Sequence, residues 1–239
     1  MLSEQVFQYC ERGNDGGFWA EPVNALTNAA FIVAAILAAA RLRTTDGGSS
    51  GTRMALSLLV GVVAVIGVGS FLFHTFATRW ALLADVLPIT VFMIGYLVFA
   101  IRSLLGAGWG VVALAVALFL FSGHAIGGLT CGVGPDGRPL PCLNGSLGYV
   151  PALVTLGIVG GLLLRSRPAV GGTLLAAGCV FLVSLTFRSI DREVCHVAVL
   201  HGHALGTHAM WHILNGVTLY MLLAAGISSL GRPGGRPQA

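Results

Sequence analysis

The sequence predicts an all-α integral membrane protein, a bundle of seven transmembrane helices. Only 9% of the 239 residues are charged, whereas 56% are hydrophobic and the mean hydropathy is +0.87. A soluble domain carries roughly 25% charged residues, so this chain lacks the charge to cover a water-exposed surface. Seven apolar runs supply spans of about the ~20 residues that cross a bilayer. They are too long, and alternate too little, for a transmembrane β-barrel.

The apolar runs lie near 22–42, 54–76, 80–101, 108–127, 148–165, 170–188 and 206–229. Each break between them carries turn or charge signals, such as RLRTTDGGSSGTR after the first run. We expect a single domain over residues 1–239, and no internal repeat indicates an inverted-repeat transporter. No basic segment precedes an early apolar run, so the first helix itself is expected to direct insertion.

The arginines predict how the bundle is oriented, since all 13 basic residues are arginine. One set of loops holds eight arginines and one acid: Arg41, Arg43, Arg53, Arg102, Arg165, Arg167, Arg232, Arg236 and Asp46. The other holds five arginines and seven acids: Arg12, Arg79, Arg138, Arg188, Arg192, Glu4, Glu11, Asp15, Glu21, Asp136, Asp191 and Glu193. The positive-inside rule therefore places the C-terminus in the cytoplasm and the N-terminus outside. Because the arginines are scattered, they do not indicate a nucleic-acid partner.

Cysteine and tryptophan residues fit this orientation. Cys10, Cys131, Cys142 and Cys195 fall on the predicted outer side, where disulfides persist. Pairing of Cys10 with Cys195 and of Cys131 with Cys142 is one of three connectivities, and free buried thiols are the alternative. At the outer interface, where indole rings commonly anchor a protein, we expect Trp19, Trp80 and Trp211.

Several polar side chains stand where a lipid-exposed helix would favour leucine. An ionisable residue within a span costs about 2.5–3.5 kcal/mol and tends to mark function. The stretch GSFLFHTFATRWALLADVLPI places Ser70 and His74 on one helix face, with Asp85 at similar depth on the next helix. In THAMWHILNGVTLYMLL, His208 and His212 lie one turn apart. Two such histidines and a third from another helix can hold zinc and leave one position for water, as in catalytic zinc sites.

Individually, these residues have simpler explanations. Asp85 could pair with Arg79, and we expect His124 to be a hydrogen-bonded packing residue in the fourth helix. The loop before the seventh helix carries three histidines that are either solvated or competing ligands: His196, His201 and His203. A proton channel or transporter would string polar residues across the full membrane depth. Because the polar residues cluster on one side, the sequence favours a site over a path.

Taken together, Ser-x3-His, a later Asp and His-x3-His resemble the CREST superfamily of seven-helix membrane hydrolases, which includes alkaline ceramidases and adiponectin receptors. YCERGNDGGFWAEPVNALTNAAF and THAMWHILNGVTLY are similar to the alkaline ceramidase branch in its bacterial form. The resemblance implies zinc-dependent hydrolysis of ceramide, or a related lipid amide, to a fatty acid and a sphingoid base. It implies that His74, His208 and His212 bind zinc. Asp85 would orient or deprotonate the attacking water, and Ser70 would hydrogen-bond the oxyanion.

The same resemblance implies a calcium site near the N-terminus, at positions that Glu11, Glu21 and Asn24 fit. Gln8 stands where the family has an acid, and the spacing from Glu11 to Glu21 is shorter. The resemblance also supports the pairing of Cys10 with Cys195. The bacterial form of the family implies a bacterial inner membrane, and the arginine count places the site near its periplasmic side. The expected partner is a membrane lipid rather than an obligate protein. The alternative function is a receptor of the adiponectin-receptor type with a structural or weakly hydrolytic zinc, against which the short, acidic N-terminus argues.

Overall fold

The computed structural model describes residues 2–134, 137, 139–200 and 202–231. Over these residues the chain forms seven helical segments that are long and apolar enough to cross a membrane, which confirms the predicted fold class. The helices are α1 (Pro22–Thr27), α2 (Ala29–Thr44), α3 (Ser50–Phe76), α4 (Arg79–Phe99), α5 (Trp109–Gly127), α6 (Val150–Ser166), α7 (Pro168–Ser189) and α8 (His208–Ser228). Together α1 and α2 make the first span, in which Asn28 separates the two helices.

The span boundaries agree with the predicted runs to within a few residues, except at irregular segments. A π-helical turn, Ala100–Leu104, continues α4, and 3-10 turns over Cys142–Tyr149 lead into α6. Two short hairpins also appear, β1 (Thr130–Val133) with β2 (Pro139–Pro141), and β3 (Val199–Leu200) with β4 (His203–Ala204). Strands of two to four residues carry too little alternation for sequence reasoning to find them.

The helix α8 lies at the centre of the bundle, packed against α2, α7 and α3. It is the most deeply buried span, whereas α5 is the least buried. Apolar side chains such as Phe31, Leu56, Ile66 and Leu223 fill the core between the helices. Close helix approaches depend on small residues, as is usual in membranes. At Gly69 of α3, an added β-carbon would collide with the carbonyl of Ala84 in α4.

One end of the bundle, here called the site end, carries the N-terminal segment and both hairpins. The helices α1, α4, α6 and α8 begin there, while α3, α5 and α7 end there. Which face of the membrane this end meets stays a prediction, as does the single domain. Four residues of the charge count lie outside the described residues: Asp136, Arg138, Arg232 and Arg236.

Two side chains at the site end differ from their predicted positions. Arg12 is buried at 3% exposure instead of lying in a solvated loop. Trp211 was expected at the interface but is buried against Tyr149 and Phe181. Trp19 and Trp80 are exposed, as interfacial residues should be. The cause is local sequence: Trp211 stands between His208 and His212 on the most buried helix, so its ring points into the bundle.

Candidate metal centre

Three histidine rings meet at the site end. His74 lies in the last turn of α3, while His208 begins α8 and His212 follows one turn later. Their ring centroids are 4.6–5.2 Å apart, and each residue is only 1% exposed. One ring nitrogen from each lies within 4.8 Å of the others, which makes this the group among the described residues that could hold a metal ion.

Outer hydrogen bonds fix the rings of His74 and His212. The Nδ1–H of His74 donates to Glu21 Oε2 at 2.6 Å, since a carboxylate can only accept. His212 Nδ1 lies 2.9 Å from Thr27 Oγ1, whose own proton points to carbonyls of its helix, so His212 is the donor. Metal-bound histidines almost always donate their second nitrogen in this way. The Nε2 atoms of both rings are therefore left as lone-pair donors.

His208 is held by the chain segment that covers it. The ring of Tyr9 stacks on it with centroids 3.6 Å apart and an interplanar angle of 19°. Asp191 Oδ1 accepts the backbone N–H groups of Thr207 and His208, and so caps the beginning of α8. A carboxylate is favoured at a helix N-terminus. Burial raises the pKa of Asp191, although these N–H groups oppose the shift.

The three histidines fit a metal ion because their free nitrogens have no other partner. His74 Nε2, His208 Nδ1 and His212 Nε2 are buried and accept no hydrogen bond from any described residue. A buried polar atom without a partner costs free energy, so three of them around one point indicate a missing ligand. Three imidazoles match the protein ligands of a catalytic zinc site with an open fourth position.

Asp85 and Ser70 lie beside this centre. Ser70 and the Asp85 carboxylate interact with each other, and both residues are buried. The contact crosses from α3 to α4 next to Gly69, where the absence of a side chain lets the two helices approach. Asp85 also interacts electrostatically with His74. The suggested pairing of Asp85 with Arg79 is wrong, because Arg79 pairs with Glu4 at 3.0 Å on the surface.

The carboxylates at the expected calcium positions are already engaged. Both oxygens of Glu11 accept N–H groups, from Val23 and Asn24, at the beginning of α1. Glu21 accepts from Arg12, His74 and the Asn24 side-chain amide. Burial raises the pKa of Glu21, but the His74 and Arg12 bonds outweigh it and leave the pKa below its usual value. Within this set of three residues, Asn24 Oδ1 is the one buried side-chain oxygen that lacks a partner in the described part of the chain. Calcium takes six to eight oxygens, so this set does not fit calcium.

The remaining histidines stand away from the centre. His124 is exposed on α5, so the expectation that it packs inside the bundle is wrong. His196 and His203 are exposed in the loop before α8, as predicted for solvated residues, and His201 lies outside the described residues. A helix as uniformly apolar as α5 has no polar face to show which side is buried, which explains the error.

Two disulfides close the loops at the site end. Cys10 joins Cys195, 185 residues away, and ties the N-terminal segment to the connection between α7 and α8. Cys131 joins Cys142 across the first hairpin, with a separation of 11 residues. The backbone N–H of Cys10 also donates to Asp191 Oδ2 at 2.9 Å. The first disulfide therefore stands directly beside the cap of α8.

Sequence reasoning missed several residues around the centre. Tyr9, Arg12, Thr27 and Asp191 all contact a ligand histidine or the helix that carries it. Arg188 is also near: it donates to the Asn144 carbonyl and to Ser146 Oγ, and lies over the rings of Tyr149 and Trp211. It also interacts electrostatically with Tyr9. Most of these residues lie in loops or at helix ends and are far in sequence from the histidines. No local sequence pattern therefore predicts that they contact the centre.

Seven apolar helices around a buried group of three histidines define a multi-pass membrane protein with a candidate metal centre. The ceramidase family model matches residues 7–131, just over half of the chain. The chain therefore belongs to the ceramidase family, as its motifs suggested, and this membership supports hydrolysis of a lipid amide. No curated protein matches the chain. The matched segment includes Ser70, His74 and Asp85, while His208 and His212 lie beyond it and join the centre through the fold.

Proposed function

We propose that this protein is a zinc-dependent intramembrane hydrolase that cleaves the amide bond of ceramide, or of a related lipid amide, to a fatty acid and an amine. The observation that carries the proposal is the buried meeting of three partnerless histidine nitrogens beside the Asp85–Ser70 pair, in a chain of the ceramidase family. His74, His208 and His212 would hold the metal. A zinc ion bound there would supply a Lewis acid and lower the pKa of water toward ~7.

Asp85 is the residue placed to handle protons. As a buried carboxylate next to the centre, it can accept a proton from the attacking water and later deliver it to the leaving amine. General acid–base catalysis of this kind contributes about 10²- to 10⁴-fold. The leaving amine then receives the same proton that Asp85 accepted from the water.

We infer that Ser70, which interacts with Asp85, donates to the ionised carboxylate in the resting arrangement and so cannot stabilise an oxyanion at the same time. Once Asp85 has taken up a proton, its carboxyl group can donate to Ser70 Oγ, which frees the serine hydroxyl for the substrate's carbonyl oxygen. One well-placed donor to an oxyanion is worth about 2.7–4 kcal/mol. The Ser70–Asp85 contact thus links proton uptake to oxyanion stabilisation.

An apolar cavity supports a lipid substrate. It begins near Asn215 and Tyr149, one turn beyond the histidines, and extends through the bundle toward Ala100 and Leu174 at the opposite end. Its lining is almost entirely apolar, with side chains such as Phe92 and Leu219. An acyl tail in this cavity would place its amide carbonyl near the metal centre, and the head group near the site end.

The clustering of charge favours a reaction site over an ion path. Among the described residues, the buried acidic, arginine and histidine side chains belong to the site end: Arg12, Glu21, His74, Asp85, Asp191, His208 and His212. The opposite half of the bundle is filled by apolar side chains. From the arginine count we further propose that the site end faces the periplasm of a bacterial inner membrane.

Metal content and hydrolysis, measured on the same purified protein, test the proposal. We expect about one bound zinc per chain and release of fatty acid from some member of a panel of lipid amides and esters. His212→Ala should lose both, whereas the matched exposed-histidine variant His124→Ala should keep both. Protein that binds no metal would exclude the hydrolase. Zinc-loaded protein inactive on every lipid would favour the receptor alternative instead.

A further inference from the structure

The side chain of Arg12 is fully buried between the N-terminal segment and the end of α3. Its Nε donates to a carboxylate, and its two terminal nitrogens each donate to two backbone carbonyls. The five acceptors are Glu21 Oε1 and the carbonyl oxygens of Asp15, Gly17, His74 and Thr75. A guanidinium has five N–H donors. Each donor of Arg12 therefore has an oxygen partner.

These acceptors resemble the ligand set of a metal cation. One carboxylate oxygen and four backbone carbonyls are the kinds of oxygen that calcium takes. The carbonyls of His74 and Thr75 belong to the last turn of α3, where backbone oxygens lack helical partners and the helix dipole is negative. Both features favour a positive charge at this point, and Arg12 supplies it.

The same guanidinium acts on the metal centre through Glu21. One carboxylate oxygen of Glu21 binds Arg12, and the other accepts Nδ1–H of His74. An arginine fork has a fixed planar geometry, so it sets the orientation of the carboxylate that it holds. Arg12 also binds the backbone carbonyl of His74 itself. The ring of His74 is thus held from two directions by one cation.

We propose that Arg12 is a built-in cation that replaces bound calcium in this chain and serves as a positioning residue for His74. A tethered charge has no dissociation equilibrium, so the N-terminal segment stays on the metal centre whatever the calcium concentration. The calcium part of this proposal is independent of the reaction proposed above. The positioning part rests on the metal centre, and zinc binding tests it without any lipid substrate.

Calcium added to the unaltered full chain in detergent tests the first part. After purification in calcium-free buffer, millimolar calcium should leave the melting temperature unchanged and give no binding heat by titration calorimetry. A calcium-dependent rise in melting temperature, or a titratable calcium site, would overturn the proposal. This arm needs no variant, so it stands even if changes at Arg12 impair folding.

Zinc affinity of Arg12 variants tests the second part. Loss of an outer partner of a metal ligand typically costs 10- to 100-fold in affinity, so Arg12→Ala should bind zinc about 10-fold more weakly. Added guanidinium ion should restore part of the loss, and Arg12→Lys should lie between the two. Arg79→Ala is the matched control, because it removes an exposed arginine–glutamate pair at the same end. Zinc binding by Arg12→Ala equal to that of the unaltered chain, or no rescue by guanidinium in the folded variant, would refute the positioning role.

Discussion

Two segments outside the membrane spans, both at the site end and each closed by a disulfide, differ sharply in how they contact the rest of the molecule. The N-terminal strap, residues 2–21, reaches the ligand histidines through Tyr9, Arg12 and Glu21. The first hairpin, β1 with β2, is exposed at every strand residue. The same kind of covalent link thus serves two purposes. One disulfide fastens a strap that contacts the candidate metal centre, and the other closes an exposed hairpin.

The two disulfides offer the largest test of this contrast. Cys10→Ser with Cys195→Ser opens a 185-residue connection, and loss of a native disulfide typically costs about 2–5 kcal/mol. We expect a lower melting temperature and weaker zinc binding. Cys131→Ser with Cys142→Ser opens a loop of 11 residues, worth about 3 kcal/mol or less, and should leave zinc binding unchanged. Equal zinc affinity in the two double variants would contradict the expected difference between the strap and the hairpin.

A glutamate from each region gives the next test. Glu21→Gln keeps a hydrogen-bond acceptor for His74 but removes the charge that faces Arg12, so zinc affinity should fall by about 10- to 100-fold. Glu193→Gln, beside the hairpin, alters an exposed carboxylate that accepts from the Asn144 amide. Its zinc affinity should match that of the unaltered chain. A larger loss of zinc affinity in Glu193→Gln than in Glu21→Gln would contradict the role of the strap at the metal centre.

The stacked ring of Tyr9 predicts a smaller effect. Aromatic stacking contributes about 0.5–1.5 kcal/mol beyond burial, so Tyr9→Leu should weaken zinc binding by up to roughly 10-fold. Tyr9→Phe keeps the ring over His208 and loses only the phenol oxygen that interacts with Arg188. It should retain most of the affinity. Indistinguishable titrations of the two variants would show that the stack does not hold His208.

Helix capping within the strap predicts the smallest change. Glu11 accepts two N–H groups at the beginning of α1, and loss of such a cap costs about 0.5–2 kcal/mol. Glu11→Ala should lower the melting temperature modestly without changing zinc affinity. The exposed Glu4 is the matched control, and Glu4→Ala should melt close to the unaltered chain. A strong loss of zinc by Glu11→Ala would mean that this carboxylate belongs to the centre.

Most of the fold followed from the sequence because hydrocarbon imposes a simple requirement. A run of about 20 apolar residues has few alternatives to a helix, so seven runs predicted seven spans. The irregular segments were not predicted, because the π-helical turn at Ala100–Leu104 and the short hairpins depend on tertiary contacts. A uniformly apolar helix such as α5 also hides its buried face, which is why the prediction for His124 is wrong.

The site was predictable only where helical spacing carried the signal. Ser70 with His74, and His208 with His212, share helix faces because each pair is four residues apart. The strap has no such periodicity, so nothing local shows that Arg12 meets the end of α3 or that Asp191 caps α8. The calcium site implied by the resemblance was carried over from positions, which do not show that Glu11 and Glu21 are engaged in other hydrogen bonds.

The ligand histidines come from α3 and α8, the third and the last helices along the chain, and the strap is fastened to the connection just before the last one. During synthesis the ribosome must deliver almost the entire polypeptide to the insertion machinery before the metal-binding rings can meet. A truncated or half-inserted product therefore lacks the assembled centre. The topology itself therefore delays assembly of the candidate metal centre until the last helix has been inserted.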